Sequence, residues 1–276
     1  MLDSNTSPST LPDLRVELLR AETLAASGKI SSNGSYGKMG NKWSVLYSPE
    51  LIIQTTLTGQ LSLLMLIEML EDAGISVISA NTDGIAIKCE RVRESECMNI
   101  IATWEKITKF TIETTDYSSL HSANVNNYVA VKTDGTVKTK GWFAIDESTV
   151  IQKNPTNMVA VDAVIGYLTE GLMPEDTIAG CKDVRRFVTI RKVEGGGMTN
   201  SGEYLGRAVR WYYANPDKND LIGGREILYK KNGNRVARSE GAKPLMELPD
   251  ALPDDVDTSW YVREAYSMLR DVGVTI

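Results

Sequence analysis

Histidine is almost absent: His121 is the only one among 276 residues. That argues against an ordinary zinc site and against any Ser–His or Cys–His nucleophile system. The three cysteines, Cys89, Cys97 and Cys181, form no CxxC pair, and their odd number suggests no disulfide framework. No uninterrupted apolar run approaches the roughly 18 residues of a membrane span. The start of the chain lacks the basic and apolar regions of a signal peptide. A cytoplasmic compartment and no membrane partner are therefore expected. There is no GxxxxGK loop and no GxGxxG after a strand, which removes support for ATPase and dinucleotide readings. Carboxylates, lysines, hydroxyls or a metal are left to carry any chemistry.

What is present is ordinary for a globular protein: 42% apolar and 24% charged residues. The net charge of -6 is unevenly spread. Residues 182–243 carry 14 Lys and Arg against 7 Asp and Glu, a net of +7, whereas residues 247–276 carry 2 against 7, a net of -5. The part before 182 then holds -8. Such segregation fits a protein that holds cations in one region and phosphates in another.

Residues 1–12, rich in Ser, Thr and Pro, read as a flexible lead-in. A helix is expected over 13–36. Ser48-Pro49-Glu50 reads as the start of a second helix that stops at Gly74. Its run LSLLMLIEML is apolar nearly all round, which predicts deep burial. Strands are expected at 75–80 and 84–89 around the turn Asn81-Thr82-Asp83, then a helix over 91–107 and a strand over 109–115. Residues 127–132 and 137–143 read as a hairpin around Asp134-Gly135, and 157–169 as a helix. Gly195-Gly196-Gly197 reads as a loop. The class expected is α+β, with a small antiparallel-rich sheet crossed by a helix.

Three constellations could carry chemistry. Lys29, Asn33 and Tyr36 are spaced to share one helix face, where a lysine, an amide and a ring could serve a nucleotide; the alternative is the wet stripe of an amphipathic helix. Asn81-Thr82-Asp83 would project a carboxylate from a rigid hairpin, which suits Mg²⁺, but Asn and Asp are also ordinary turn residues. Arg207 and Arg210 flank Trp211-Tyr212-Tyr213, with Lys230, Lys231, Arg235 and Arg238 further on. That set reads either as a nucleic-acid surface or as a solvated face over an aromatic core. Asp254, Asp255 and Asp257 read as a solvated end or as a partner contact.

The order of these pieces resembles family B DNA polymerases, phage-type ones in particular, over about residues 14–215. Lys29, Asn33, Tyr36 and Gly37 match the K-x-x-x-N-S-x-Y-G motif of the fingers helix, with Gly34 at the usual serine. Asn81-Thr82-Asp83 matches the Asp-Thr-Asp turn of the palm. Tyr128, Lys140 and Gly141 fit the Lys-x-Tyr and Lys-Gly elements near the primer, with Asn126 and Asn127 at the lysine positions. The stretch from Lys153 to Gly171 looks like the start of the thumb. The resemblance implies a lead-in at 1–12, a fingers helix and return at 13–47, a palm at 48–145, and a thumb-like DNA-binding region with an acidic tail at 146–276.

By that resemblance the chain would be a nucleotidyltransferase, a DNA-directed DNA polymerase subunit in the host cytoplasm. Asp83 would bind Mg²⁺. Lys29, Asn33, Tyr36 and Gly37 would hold the dNTP. Thr82, Tyr128, Lys140, Gly141, Arg207 and Arg210 would hold primer–template DNA. Two-metal transfer needs carboxylates holding ions about 3.5–4 Å apart. Asn81 removes one charge, and nothing before Lys29 matches the family's other aspartate motif. A second polypeptide carrying that aspartate and the exonuclease is therefore expected, and the chain alone should expose apolar surface. The alternative is a non-catalytic DNA-binding or assembly subunit derived from a polymerase.

Overall fold

The computed structural model describes residues 11–144, 155–215 and 226–275, without the side chains of 11–13. Residues 1–10 of the expected lead-in and the expected thumb start at Lys153 and Asn154 lie outside the described residues, while residues 11 and 12 of that lead-in are already helical. The fold is mixed α and β, every strand pairing antiparallel. The chain divides into two compact units, Met1–Ile112 and Glu113–Ile276. This break falls inside the stretch 48–145 that the resemblance assigns to one palm.

In the first unit, helix α1 spans Leu11–Met39 and helix α2 Pro49–Asp72. Proline at the first position of α2 has no N–H to leave orphaned, which is why the helix starts there. Gly74, at φ +74°, turns the chain out of α2 into β1 (Ser76–Ala80), which pairs with β2 (Ile85–Lys88). A 3-10 turn at Arg91–Arg93 leads into α3, Glu94–Thr108. Leu66 and Leu70 of α2, Ile75, and Cys97, Ile101 and Trp104 of α3 form the unit's buried cluster. The Trp104 indole also donates to the Ser62 carbonyl at 2.7 Å.

Two expectations fail in this unit. Within 61–70 only Leu66 and Leu70 are buried, while Leu61 and Leu64 are exposed, so α2 is not a deeply buried helix. A two-stranded sheet and one short helix offer too little surface to cover more than one stripe of it. By length and composition alone, α2 is apolar enough to cross a membrane. The second failure is the strand expected at 109–115, which has no regular structure. Lys109 ends α3 in the left-handed region at φ 63°. The next free N–H groups are taken by side chains: Phe110 N by Thr108 Oγ1 at 3.3 Å and Ile112 N by Glu105 Oε1 at 2.6 Å. Capping of this kind replaces a strand ladder.

The second unit opens with a three-stranded meander, β3 (Tyr117–Asn124), β4 (Asn127–Lys132) and β5 (Val137–Lys140). Helices α4 (Met158–Glu170), α5 (Pro174–Gly180) and α6 (Val184–Phe187) follow. A second sheet has the order β8-β6-β7-β9, from β6 (Thr189–Met198), β7 (Tyr204–Tyr213), β8 (Leu228–Tyr229) and β9 (Ala242–Pro244). Helix α7, Thr258–Asp271, closes the chain. The glycines expected as a loop at 195–197 lie inside β6. An added Cβ on Gly197 would sit 2.7 Å from Val209 Cγ2, so glycine is what lets β6 and β7 approach there.

One continuous core joins Val129, Phe143, Val159 to Val161, Ala163 and Val164 of α4, Trp211, Tyr213 and Tyr261. Tyr261 of α7 locks it: its hydroxyl donates to the Phe187 carbonyl at 2.7 Å and accepts from the Tyr213 N–H at 3.0 Å. Burial pushes the phenol's pKa far up, so it stays a donor at all ordinary pH.

Candidate functional site

On α1, Lys29, Asn33 and Tyr36 share one helix face, as their spacing requires. Every residue from Leu14 to Gly34 is exposed, so Lys29 and Asn33 project into solvent. Tyr36 is tied to α2 by a 2.8 Å hydrogen bond between its hydroxyl and Thr56 Oγ1. A methyl added at Gly37 would meet nothing within 4 Å, so packing within the chain does not demand glycine there.

In the β1–β2 turn, Asn81 N–H donates to the Gly84 carbonyl at 2.9 Å, and Asn81 Oδ1 accepts from Asp83 N–H at 3.0 Å. Asn81 therefore works as an Asx turn and has its side-chain oxygen aimed back at the backbone. Thr82 and Asp83 are exposed. Among the described residues, the Asp83 carboxylate has neither a hydrogen-bond nor an ion-pair partner. No group of three or more His, Cys, Asp or Glu side chains able to hold a metal occurs among the described residues. A bound Mg²⁺ would have Asp83 as its ligand from this turn and would take its other ligands from phosphates, water or another chain.

In the second unit the hairpin brings Tyr128, Lys140 and Gly141 together. Tyr128 and Lys140 are directly paired across β4 and β5, and Lys140 Nζ lies 6.0 Å from the Tyr128 ring centre. Gly141 sits at φ +66°, and a Cβ would fall 2.1 Å from Asn127 Oδ1 and 2.2 Å from the Asn126 carbonyl oxygen. Only glycine fits this corner. Asn127 Oδ1 accepts from Trp142 N–H at 3.0 Å, and Asn127 Nδ2 donates to Asn124 Oδ1 at 2.9 Å. The two asparagines thus build the turn that positions Lys140. His121 of β3 pairs with Val129, and burial lowers its pKa, so it is neutral at pH 7.

The basic segment behaves differently from its sequence pattern. Trp211, Tyr212 and Tyr213 are buried, which makes them core residues and removes them as stacking platforms. Arg207 is exposed on β7, while Arg210 is half-buried and donates to the Met246 carbonyl at 3.2 Å. Lys231 faces Glu194 at 3.7 Å, Arg235 lies 3.6 Å from Glu226 and 3.5 Å from Glu240, and Arg238 pairs with Glu264. Lys243 contacts Asp255 at 2.6 Å, and Tyr212 donates to the same carboxylate at 2.7 Å. Burial works to raise the Asp255 pKa, but these two donors outweigh it and hold the carboxyl below its usual range. Asp257 caps α7 by accepting from Trp260 N–H at 3.0 Å.

At Asp255 and Asp257 the acidic end is therefore not a loose solvated tail. It folds back onto the basic segment and neutralises part of it. The spacing of Asp257 before an apolar helical run was a readable cap signal; the Asp255–Lys243 pairing had no local signal.

No protein-family model matches the chain, and no curated protein matches it in sequence.

Proposed function

We propose that this chain is a subunit of a template-directed DNA polymerase, active when a second polypeptide completes its metal site. The observation that carries the reading is the uncommitted Asp83 carboxylate at the tip of the β1–β2 hairpin, in the same unit as the exposed Lys29–Asn33–Tyr36 face. In this reading a primer 3′-hydroxyl attacks the α-phosphate of a dNTP, and pyrophosphate leaves. Catalysis is chiefly positioning and charge neutralisation. Asp83 holds Mg²⁺, Lys29 meets the triphosphate, Asn33 helps place it, and Tyr36 borders the nascent pair. Tyr128, Lys140, Gly141, Arg207 and Arg210 hold the DNA.

A finger–palm–thumb division of the sequence belongs to the same proposal. The need for a partner is supported by the exposed apolar residues of α1, α2 and the loop between them, Leu24, Ile30, Trp43 and Val45 among them.

Asp83→Ala tests the metal role. Loss of a metal ligand worth several kcal/mol should cut primer extension by the assembled enzyme by about a thousandfold. Because Asp83 is exposed, the melting temperature should not change. Extension at the wild-type rate would refute the assignment. The second reading, a non-catalytic assembly subunit, is favoured by the neutral Asn81. It predicts a complex that binds DNA normally and shows no Asp83-dependent synthesis.

A further inference from the structure

The meander β3–β4–β5 has two unlike faces. Val129, with Val137 and Ala123, packs into the core. The opposite face carries Tyr128, Ala130 and Lys132 from β4, Lys138 and Lys140 from β5, and Leu120 and Ser122 from β3, as the pairings Tyr128–Lys140, Ala130–Lys138, Leu120–Ala130 and Ser122–Tyr128 require. The three strands contain three lysines and no aspartate or glutamate. The one acid of the hairpin, Asp134, is in the turn, where its carboxylate accepts from Thr136 N–H at 2.8 Å.

We propose that this outer face binds the sugar–phosphate backbone of a DNA strand, with Lys138 and Lys132 adding phosphate contacts to Lys140. The inference rests on the polymerase reading and extends it by two residues that no motif singles out. Lys138 and Lys140 stand two residues apart on one strand, about 6.8 Å along it, close to the separation of successive phosphates. Lys132 lies at the end of β4, the strand next to theirs. Ala130, between Lys138 and Leu120, is fully covered by its neighbours, so a backbone would rest on the flanking side chains. The exposed hydroxyl of Ser122 and the ring of Tyr128 lie on the same face. None of these groups reads a base edge, so binding is independent of sequence.

The test is fluorescence anisotropy of a labelled primer–template duplex with the full chain, across a salt series. Lys138→Gln and Lys132→Gln are compared with wild type and with Lys106→Gln, a control at an exposed position on α3. Each test substitution should weaken binding several-fold at low salt and reduce the slope of log K against log salt by about one, equally for unrelated sequences. The control should match wild type. If both test variants bind DNA as the control does, the proposed face is wrong while the polymerase reading stands. If the wild-type chain binds no DNA, both fall. Phosphatidylserine vesicles form the last arm: vesicle binding that depends on these lysines, without DNA binding, would overturn the proposal in favour of a membrane surface.

Discussion

The two compact units differ most in what they do with apolar side chains. Among the described residues, 21 large hydrophobic side chains are exposed in Met1–Ile112 and six in Glu113–Ile276. Trp43 is 85% exposed, whereas Trp211 is 0%. The second unit has layered sheets and helices to bury Trp211, Tyr213 and Tyr261 together. The first has three helices and a two-stranded sheet, and its buried cluster is much smaller. The unit that carries Lys29 and Asp83 is thus the one that leaves more apolar side chains exposed, and the unit with the lysine-bearing meander has the larger core.

The sharpest break of this comparison is in the second core. Trp211→Ala should cost about 3–5 kcal/mol by removing a fully buried ring, read as a fall in the urea midpoint. A loss below 1 kcal/mol would mean that the core is less consolidated than its packing implies.

A smaller effect is expected at Asp255, which joins the acidic end to Lys243 and Tyr212. Asp255→Asn should cost about 1 kcal/mol at pH 7. The folded pKa of Asp255 is depressed, so its contribution is present above the unfolded value of about 3.9 and is lost as pH falls through the folded one. The Lys243 pKa is raised, chiefly by its bond to Asp255, so that share is lost as pH rises through the folded value. Wild type and variant should therefore converge in strong acid and in strong base. A difference that stays constant with pH would contradict the pairing.

Gly37→Ala should stabilise the chain by about 0.5–1 kcal/mol, because nothing within the fold opposes a methyl there. If a nucleotide or DNA backbone approaches that point, the same variant weakens its binding. Stabilisation with unchanged nucleotide affinity would remove Gly37 from the site. Least of all should happen to stability with Leu57→Ser on the exposed stretch of α2: a change within about 0.5 kcal/mol. Self-association measured by sedimentation should drop, and a marked loss of stability would mean that this face is already covered.

Local signals were legible in the sequence. Ser48-Pro49, Gly74 and Asp134-Gly135 each marked a boundary that the structure keeps, because caps and turns depend on residues close in sequence. Burial was not legible: LSLLMLIEML is apolar all round, yet what covers a helix is decided by distant neighbours. Strand β3 was missed because YSSLHSAN alternates weakly and is held by pairing to β4. At the candidate site, the shared face of Lys29, Asn33 and Tyr36 and the exposure of Asp83 could be expected from spacing. The Asx-turn role of Asn81 and the dependence of the Gly141 corner on Asn127 needed coordinates. The charge pattern misled in part, since Asp255 and Glu264 neutralise Lys243 and Arg238 across the fold.

The most direct measurement is Mg²⁺-dependent primer extension by the tagged chain alone and by the complex it brings down from its native source. The account predicts template-directed synthesis by the complex and none by the isolated chain. Full synthesis by the isolated chain, or a native complex that binds primer–template and never extends it, would contradict it.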